Sequence, residues 1–194
     1  FDFKRIGLHD LESHLNNISK KEGIAINEEA ISLIAKHSQG GLRDAESLLD
    51  QVSLLPPPIT QSNINNLIGA VPEEELIKLA KSLTSKEPDS ILNICNSLID
   101  LGKEPIAILQ GIASILRDLV VIKVLKDPSS LCNISQENRE SLNELADSIK
   151  LNEILSLQSK LKGTENYIRN SNQPKLWLEI HLLGMLSDET TTEI

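Results

Sequence analysis

Gly40-Gly41-Leu42-Arg43-Asp44-Ala45-Glu46-Ser47-Leu48-Leu49-Asp50-Gln51 is the stretch from which the fold of this chain is read. Leu42, Ala45, Leu48 and Leu49, continued by Val52, fall on one side of a helix with 3.6 residues per turn, and polar residues fill the other side. The two glycines separate this helix from an earlier one. Working outward, the same period returns on both sides. Leu8, Leu11, Leu15 and Ile18 make a first stripe that ends before Gly23. Asn27 is suited to cap a second helix, with Glu28 and Glu29 placed where acids complement the helix dipole. That helix turns Ile31, Ile34 and Ala35 inward and stops at Gly40-Gly41. After Pro56-Pro57-Pro58, Thr60 can cap a short fourth helix that carries Ile64, Leu67 and Ile68 and closes at Gly69.

Beyond Gly69 the punctuation changes. Pro72, Pro88, Pro105 and Pro174 each precede an apolar run, and a proline in the first helical turn forfeits no hydrogen bond. Helices are expected from these prolines to about Thr84, Leu101, Lys126 and Leu186. Two more are expected between Ser135 and Ile149 and between Leu151 and Ile168. No alternating strand pattern of useful length appears, so the fold class is all-α, in two units, 1–69 and 70–194. The helix opened by Pro105 is apolar around most of its circumference, from Ile106 to Leu125. Such a helix is buried on more than one side. It is either the centre of its own core or a helix completed by a neighbouring subunit.

Composition narrows the function. Hydrophobic residues make up 40% of the 194, a globular proportion, whereas aromatics make up 2%: Phe1, Phe3, Tyr167 and Trp177. A core so poor in rings is built from aliphatic side chains, which suits packed helices. The net charge of −9 argues against the whole surface serving as a phosphate-backbone binder. Cys95 and Cys132 have neither a CxxC pattern nor a histidine at ligand spacing, and read as reduced thiols of a cytoplasmic protein. No signal peptide or uncharged membrane span is apparent, so no membrane is expected. His9, His14, His37 and His181 are dispersed, and no metal site is expected. The chain opens Phe1-Asp2-Phe3 without a methionine and reads as a piece of a longer protein. It contains no GxxxxGK[ST] phosphate loop and no nucleophile–base set, so no catalysis is expected of it alone.

One constellation carries chemistry. Arg43 stands in the first turn of its helix, where the partial positive charge of the helix end disfavours a cation. The placement is sensible if an anion sits opposite, for then free backbone N–H groups, the dipole and the guanidinium meet one phosphate. The plainer alternative is that Gly40 only ends a helix and Arg43 pairs with a surface acid. The acid triplet Glu73-Glu74-Glu75 reads as a first-turn helix feature.

The string from Gly40 to Gln51, with Arg-Asp-Ala followed by Ser-Leu-Leu-Asp-Gln, resembles the sensor 2 segment of the gamma/tau subunits of bacterial DNA polymerase III, the AAA+ motor of the clamp loader. Phe1-Asp2-Phe3-Lys4-Arg5-Ile6 is similar to that family's passage from nucleotide-binding domain to lid. Leu67-Ile68-Gly69 resembles its lid-to-collar junction, and the run from Pro174 through Leu186 its last collar helix. The resemblance implies a small AAA+ lid over 1–69 and a helical-bundle collar over 70–194. It implies that Arg43 contacts the phosphates of ATP, with Mg, bound on an upstream domain, and that Leu42 makes an apolar contact to the nucleotide. It further implies assembly through the collar with gamma/tau copies, delta and delta-prime into a pentameric loader acting on the sliding clamp and primer-template DNA. The alternatives are another AAA+ lid with collar, such as a delta-prime-like subunit, and a helical interaction module unrelated to ATP.

Overall fold

The computed structural model describes residues 6–125 and 131–187. Among them are eleven α-helices and no strand, beyond one isolated parallel bridge between Ile26 and Ile59. The chain divides into two compact units, Phe1–Ala70 and Val71–Ile194.

Unit 1 is built from α1 (Leu8–Glu22), α2 (Glu28–His37), α3 (Leu42–Ser53) and α4 (Gln61–Leu67). The inward residues are those the period selects: Leu11 and Leu15, then Ile31, Ile34 and Ala35, then Ala45, Leu49 and Val52, all buried. Gly23 ends α1 in the left-handed conformation at φ 70°, and the Asn27 side chain caps α2 by accepting from the Ala30 N–H at 2.9 Å. Across the surface, His14 of α1 bonds Glu46 of α3 at 2.8 Å, and Ser32 of α2 donates to Glu12 of α1 at 2.6 Å.

Unit 2 contains α5 (Glu73–Thr84), α6 (Pro88–Asp100), α7 (Pro105–Val124), α8 (Arg139–Ser148), α9 (Leu151–Lys160), α10 (Thr164–Arg169) and α11 (Pro174–Gly184). Pro88, Pro105 and Pro174 sit in the first turn of their helices, and Pro72 stands at the N-cap of α5. α7 is the centre of the unit: α5, α6, α8, α9, α10 and α11 all pack against it. Ile108, Leu109, Ile112, Ile115, Leu116 and Leu119 are buried there. By length and composition α7 could cross a membrane, with a mean hydropathy of 1.8, yet its apolar girth is taken up by these six neighbours. The central-core alternative therefore accounts for most of α7. Its last turn differs, with Val124 and Leu125 exposed. Gly111 lets α5 approach, since a Cβ there would stand 2.6 Å from Leu76 Cδ1.

Two helix boundaries depart from the expected ones. The segment 151–168, expected as one helix, is two, because Gly163 turns left-handed at φ 81° and α10 restarts at the buried Thr164. α8 begins at Arg139 rather than near Ser135, because Ser135 and Asn138 are held by Glu73 of α5. The expected ends at Lys126 and the opening Phe1–Arg5 lie outside the described residues.

Two carboxylates pin the segment that leads into α8. Asp118, in α7 and 1% exposed, accepts from the backbone N–H groups of Asn133 at 2.8 Å and Ile134 at 3.0 Å. Arg117 donates to the other Asp118 oxygen at 2.7 Å and so completes its charge. Glu73 accepts from the Ser135 N–H at 3.1 Å and from Asn138 Nδ2 at 3.0 Å. At the far end, Lys160 of α9 donates to the Met185 carbonyl at 3.1 Å, satisfying a carbonyl left open where α11 ends. Burial, followed by the Glu179 carboxylate, pushes the Cys95 thiol up to about 12, and both cysteines are free.

Candidate functional site

The turn between α2 and α3 is shaped before any ligand is considered. Ser38 closes α2, its N–H at 3.0 Å and its hydroxyl at 2.8 Å from the Ile34 carbonyl. Gln39 and Gly40 then both adopt positive φ, 47° and 85°. Glycine meets that requirement at no steric cost, whereas Gln39 accepts strain. Gly41 is glycine for a different reason. It has extended geometry, but a Cβ there would lie 2.7 Å from Asp44 Oδ2 and 3.1 Å from the Ser38 carbonyl oxygen. The Ile6 N–H donates to the Gly40 carbonyl at 3.3 Å, tying the start of unit 1 to this turn.

α3 therefore starts at Leu42, and its N-cap, Gly41, offers no side-chain hydrogen bond. Arg43, in its first turn, is exposed and has no ion pair among the described residues. The surface-acid alternative has no partner here. The helix end and the guanidinium together present positive potential outward, the chemistry that receives a phosphate oxygen. Leu42 behaves differently: it is half-buried and packs against the aliphatic core of unit 1. A nearby cleft of about 370 Å³ is lined by His37, Ser38, Gln39, Asp44, Ser47 and Gln51, among others, and by neither Leu42 nor Arg43. Among the described residues, no group of three His, Cys, Asp or Glu side chains could hold a metal ion.

Sequence reasoning missed a second feature. Tyr167, Trp177 and His181 form one ring cluster on unit 2, Tyr167 and Trp177 stacked with centroids 5.5 Å apart and Trp177 to His181 at 5.9 Å. The signal was present: a chain with only one Tyr and one Trp places them ten residues apart, on either side of the turn between α10 and α11.

A family model described as DNA polymerase III subunits gamma and tau domain III matches residues 59–193, well over half of the chain. The chain belongs to the DNA polymerase III gamma/tau family. A second model, the ATPase lid domain of the DNA polymerase III clamp loader subunit, matches residues 10–53 and so spans the Gly40–Gln51 string. The gamma/tau domain III match begins ahead of α4, although α4 packs with unit 1. The chain is 29% identical to DNA polymerase III subunit tau of Bacillus subtilis, over 93% of this chain and 32% of that protein. It is 27% identical to DNA polymerase III subunit gamma of Buchnera aphidicola, over 98% of this chain and 52% of that protein. It is also 32% identical to Protein STICHEL of Arabidopsis thaliana, over 95% of this chain but 15% of the relative. The chain thus spans from about one-seventh to half of the length of these gamma/tau and STICHEL relatives. In fold, it is similar to the Bacillus subtilis DNA clamp loader delta protein, with a TM-score of 0.51 at 18% identity, covering 94% of this chain and 57% of that one.

Proposed function

We propose that this chain is the lid and collar of a clamp-loader subunit that works in DNA polymerase III clamp loading. In this reading residues 1–69 are the AAA+ lid and 70–194 the collar that joins the subunit to its neighbours. Arg43 reaches ATP held on a domain outside this chain, and Leu42 positions Arg43 by anchoring the first turn of α3. One observation carries the reading: Arg43 is an exposed, unpaired cation in the uncapped first turn of α3, within the segment that matches the clamp-loader lid. A cation is disfavoured at that place unless an anion arrives. The parent protein is the ATPase; this chain supplies one phosphate contact and no catalytic group.

The test is Arg43→Ala in the full-length parent, assayed for ATP-dependent clamp loading. A hydrogen bond to a charged group contributes about 1.5–3 kcal/mol, so loading slows by roughly ten- to a hundredfold. Unchanged loading would overturn the sensor role. The alternative is a helical interaction module unrelated to ATP. The two part on one measurement: under the second, the parent binds no ATP and Arg43→Ala changes nothing.

A further inference from the structure

The residue that follows Arg43 carries the opposite charge, and its side chain turns back along the first turn of α3. Asp44 Oδ2 comes within 2.7 Å, and its Cγ within 3.4 Å, of the point where a Cβ would stand on Gly41. Glycine leaves that space open, and any side chain at 41 would displace the carboxylate. Asp44 thus rests beside the N-cap yet closes nothing there, since α3 has no side-chain cap hydrogen bond. It is exposed, and among the described residues it has no ion pair, with Arg43 or with any other cation.

The charge summed over this end of the helix decides what an incoming anion meets. The helix terminus acts as about +0.5 of an elementary charge, and the Arg43 guanidinium adds one more. Asp44 removes one, which leaves about +0.5. An acid in the first turn favours the helix itself, because it complements the dipole. For a phosphate the same carboxylate is a repulsive neighbour. Asp44 therefore helps to build the turn that presents Arg43 while it weakens the hold of that turn on an anion.

We propose that Asp44 sets the strength of the phosphate contact, its carboxylate opposing the anion that Arg43 attracts so that bound nucleotide can leave. The inference deepens the Arg43 part of the proposed function and rests on that reading. A motor that turns over has to release what it binds. A fixed repulsive charge beside an attractive one shortens the stay of the anion without changing the shape of the site, and differences of affinity are mostly differences of dissociation rate. Two unit charges about 7 Å apart repel by roughly RT in water and by several times that where protein displaces water, so removing the carboxylate charge should tighten binding about three- to tenfold.

The experiment uses the full-length parent and a fluorescent, slowly hydrolysed ATP analogue, titrated at low and at high salt. Circular dichroism checks that each variant stays helical. Asp44→Asn keeps the outline of the side chain and removes its charge. It should tighten binding by that factor at low salt and slow dissociation, with a smaller gain at high salt. Asp44→Ser, shorter and also suited to a helix start, should give the same gain; a gain from one and not the other makes the effect one of fit and overturns the inference. Asp50→Asn removes an equal charge from an exposed position six residues along the same helix and should leave affinity unchanged. An equal gain there makes the effect one of net charge and overturns the inference. In an Arg43→Ala background Asp44→Asn should gain little, because the anion is no longer held at this helix end, and a full gain there overturns it too. Where Arg43→Ala weakens binding and Asp44→Asn does not strengthen it, the inference fails and the role of Arg43 stands. Where Arg43→Ala itself leaves binding unchanged, the sensor reading fails and the inference falls with it.

Discussion

Unit 1 and unit 2 are both aliphatic helical bundles, but they treat charge in opposite ways. Unit 2 draws carboxylates inward and satisfies them: Asp118 holds two backbone amides and an arginine, and Glu73 holds the loop ahead of α8. Unit 1 leaves a guanidinium unpaired on an uncapped helix end. The difference separates two tasks. A charge whose partners lie inside the same unit contributes to holding that unit in one shape. A charge without an internal partner contributes little to the fold and is free to act on something that arrives later.

The largest effect is expected at Asp118. Asp118→Ala leaves the Asn133 and Ile134 amides without their acceptor and removes the counter-charge of Arg117. Several hydrogen bonds to one ionised group are lost together, so unit 2 should lose about 3 kcal/mol. Trp177 is the only tryptophan and lies in unit 2, so its fluorescence in a urea titration reads that unit alone. An unchanged midpoint would remove the distinction drawn between the units. A somewhat smaller effect belongs to Gly111→Ala, which places a methyl group 2.6 Å from Leu76 Cδ1 in the α5–α7 contact. Overpacking of this kind costs about 1–3 kcal/mol, and Leu76→Val in the same chain should restore part of it. The smallest effect is expected of Arg43→Ala on stability. Exposed and unpaired, the side chain should change the unfolding free energy of unit 1 by no more than about 0.5 kcal/mol, followed by far-ultraviolet circular dichroism. A large loss there would mean that Arg43 serves the fold.

Local patterns foretold the helices well, because each depends on contacts between residues three or four apart. Leu11, Ile34, Leu49 and Ile112 lie where the 3.6 period puts them. The failures have a common cause. α8 starts late because Ser135 and Asn138 answer to Glu73, more than sixty residues away, and no local pattern announces that pairing. The break at Gly163 is marked in the sequence by a single glycine, and the apolar residues on both sides keep a helical spacing through it. Asp118 offered a signal that passed unused, since a carboxylate inside an otherwise apolar helix must find donors or remain costly to bury. At the candidate site, the glycine pair and Arg43 were legible because the helix dipole makes a first-turn cation conspicuous. That Leu42 packs against the core of unit 1 was not legible, since an apolar residue at a helix start can serve the core or a ligand.

The hydrogen bond from the Ile6 amide to the Gly40 carbonyl gives the turn that carries Arg43 a built-in spectroscopic reporter. An amide proton held by a carbonyl exchanges with solvent deuterium only when that bond opens. The Ile6 signal therefore records how often the turn that holds Gln39 and Gly40 left-handed opens. In the parent protein, its exchange rate with and without nucleotide would show whether phosphate binding on one side of the turn is felt by the chain that enters on the other.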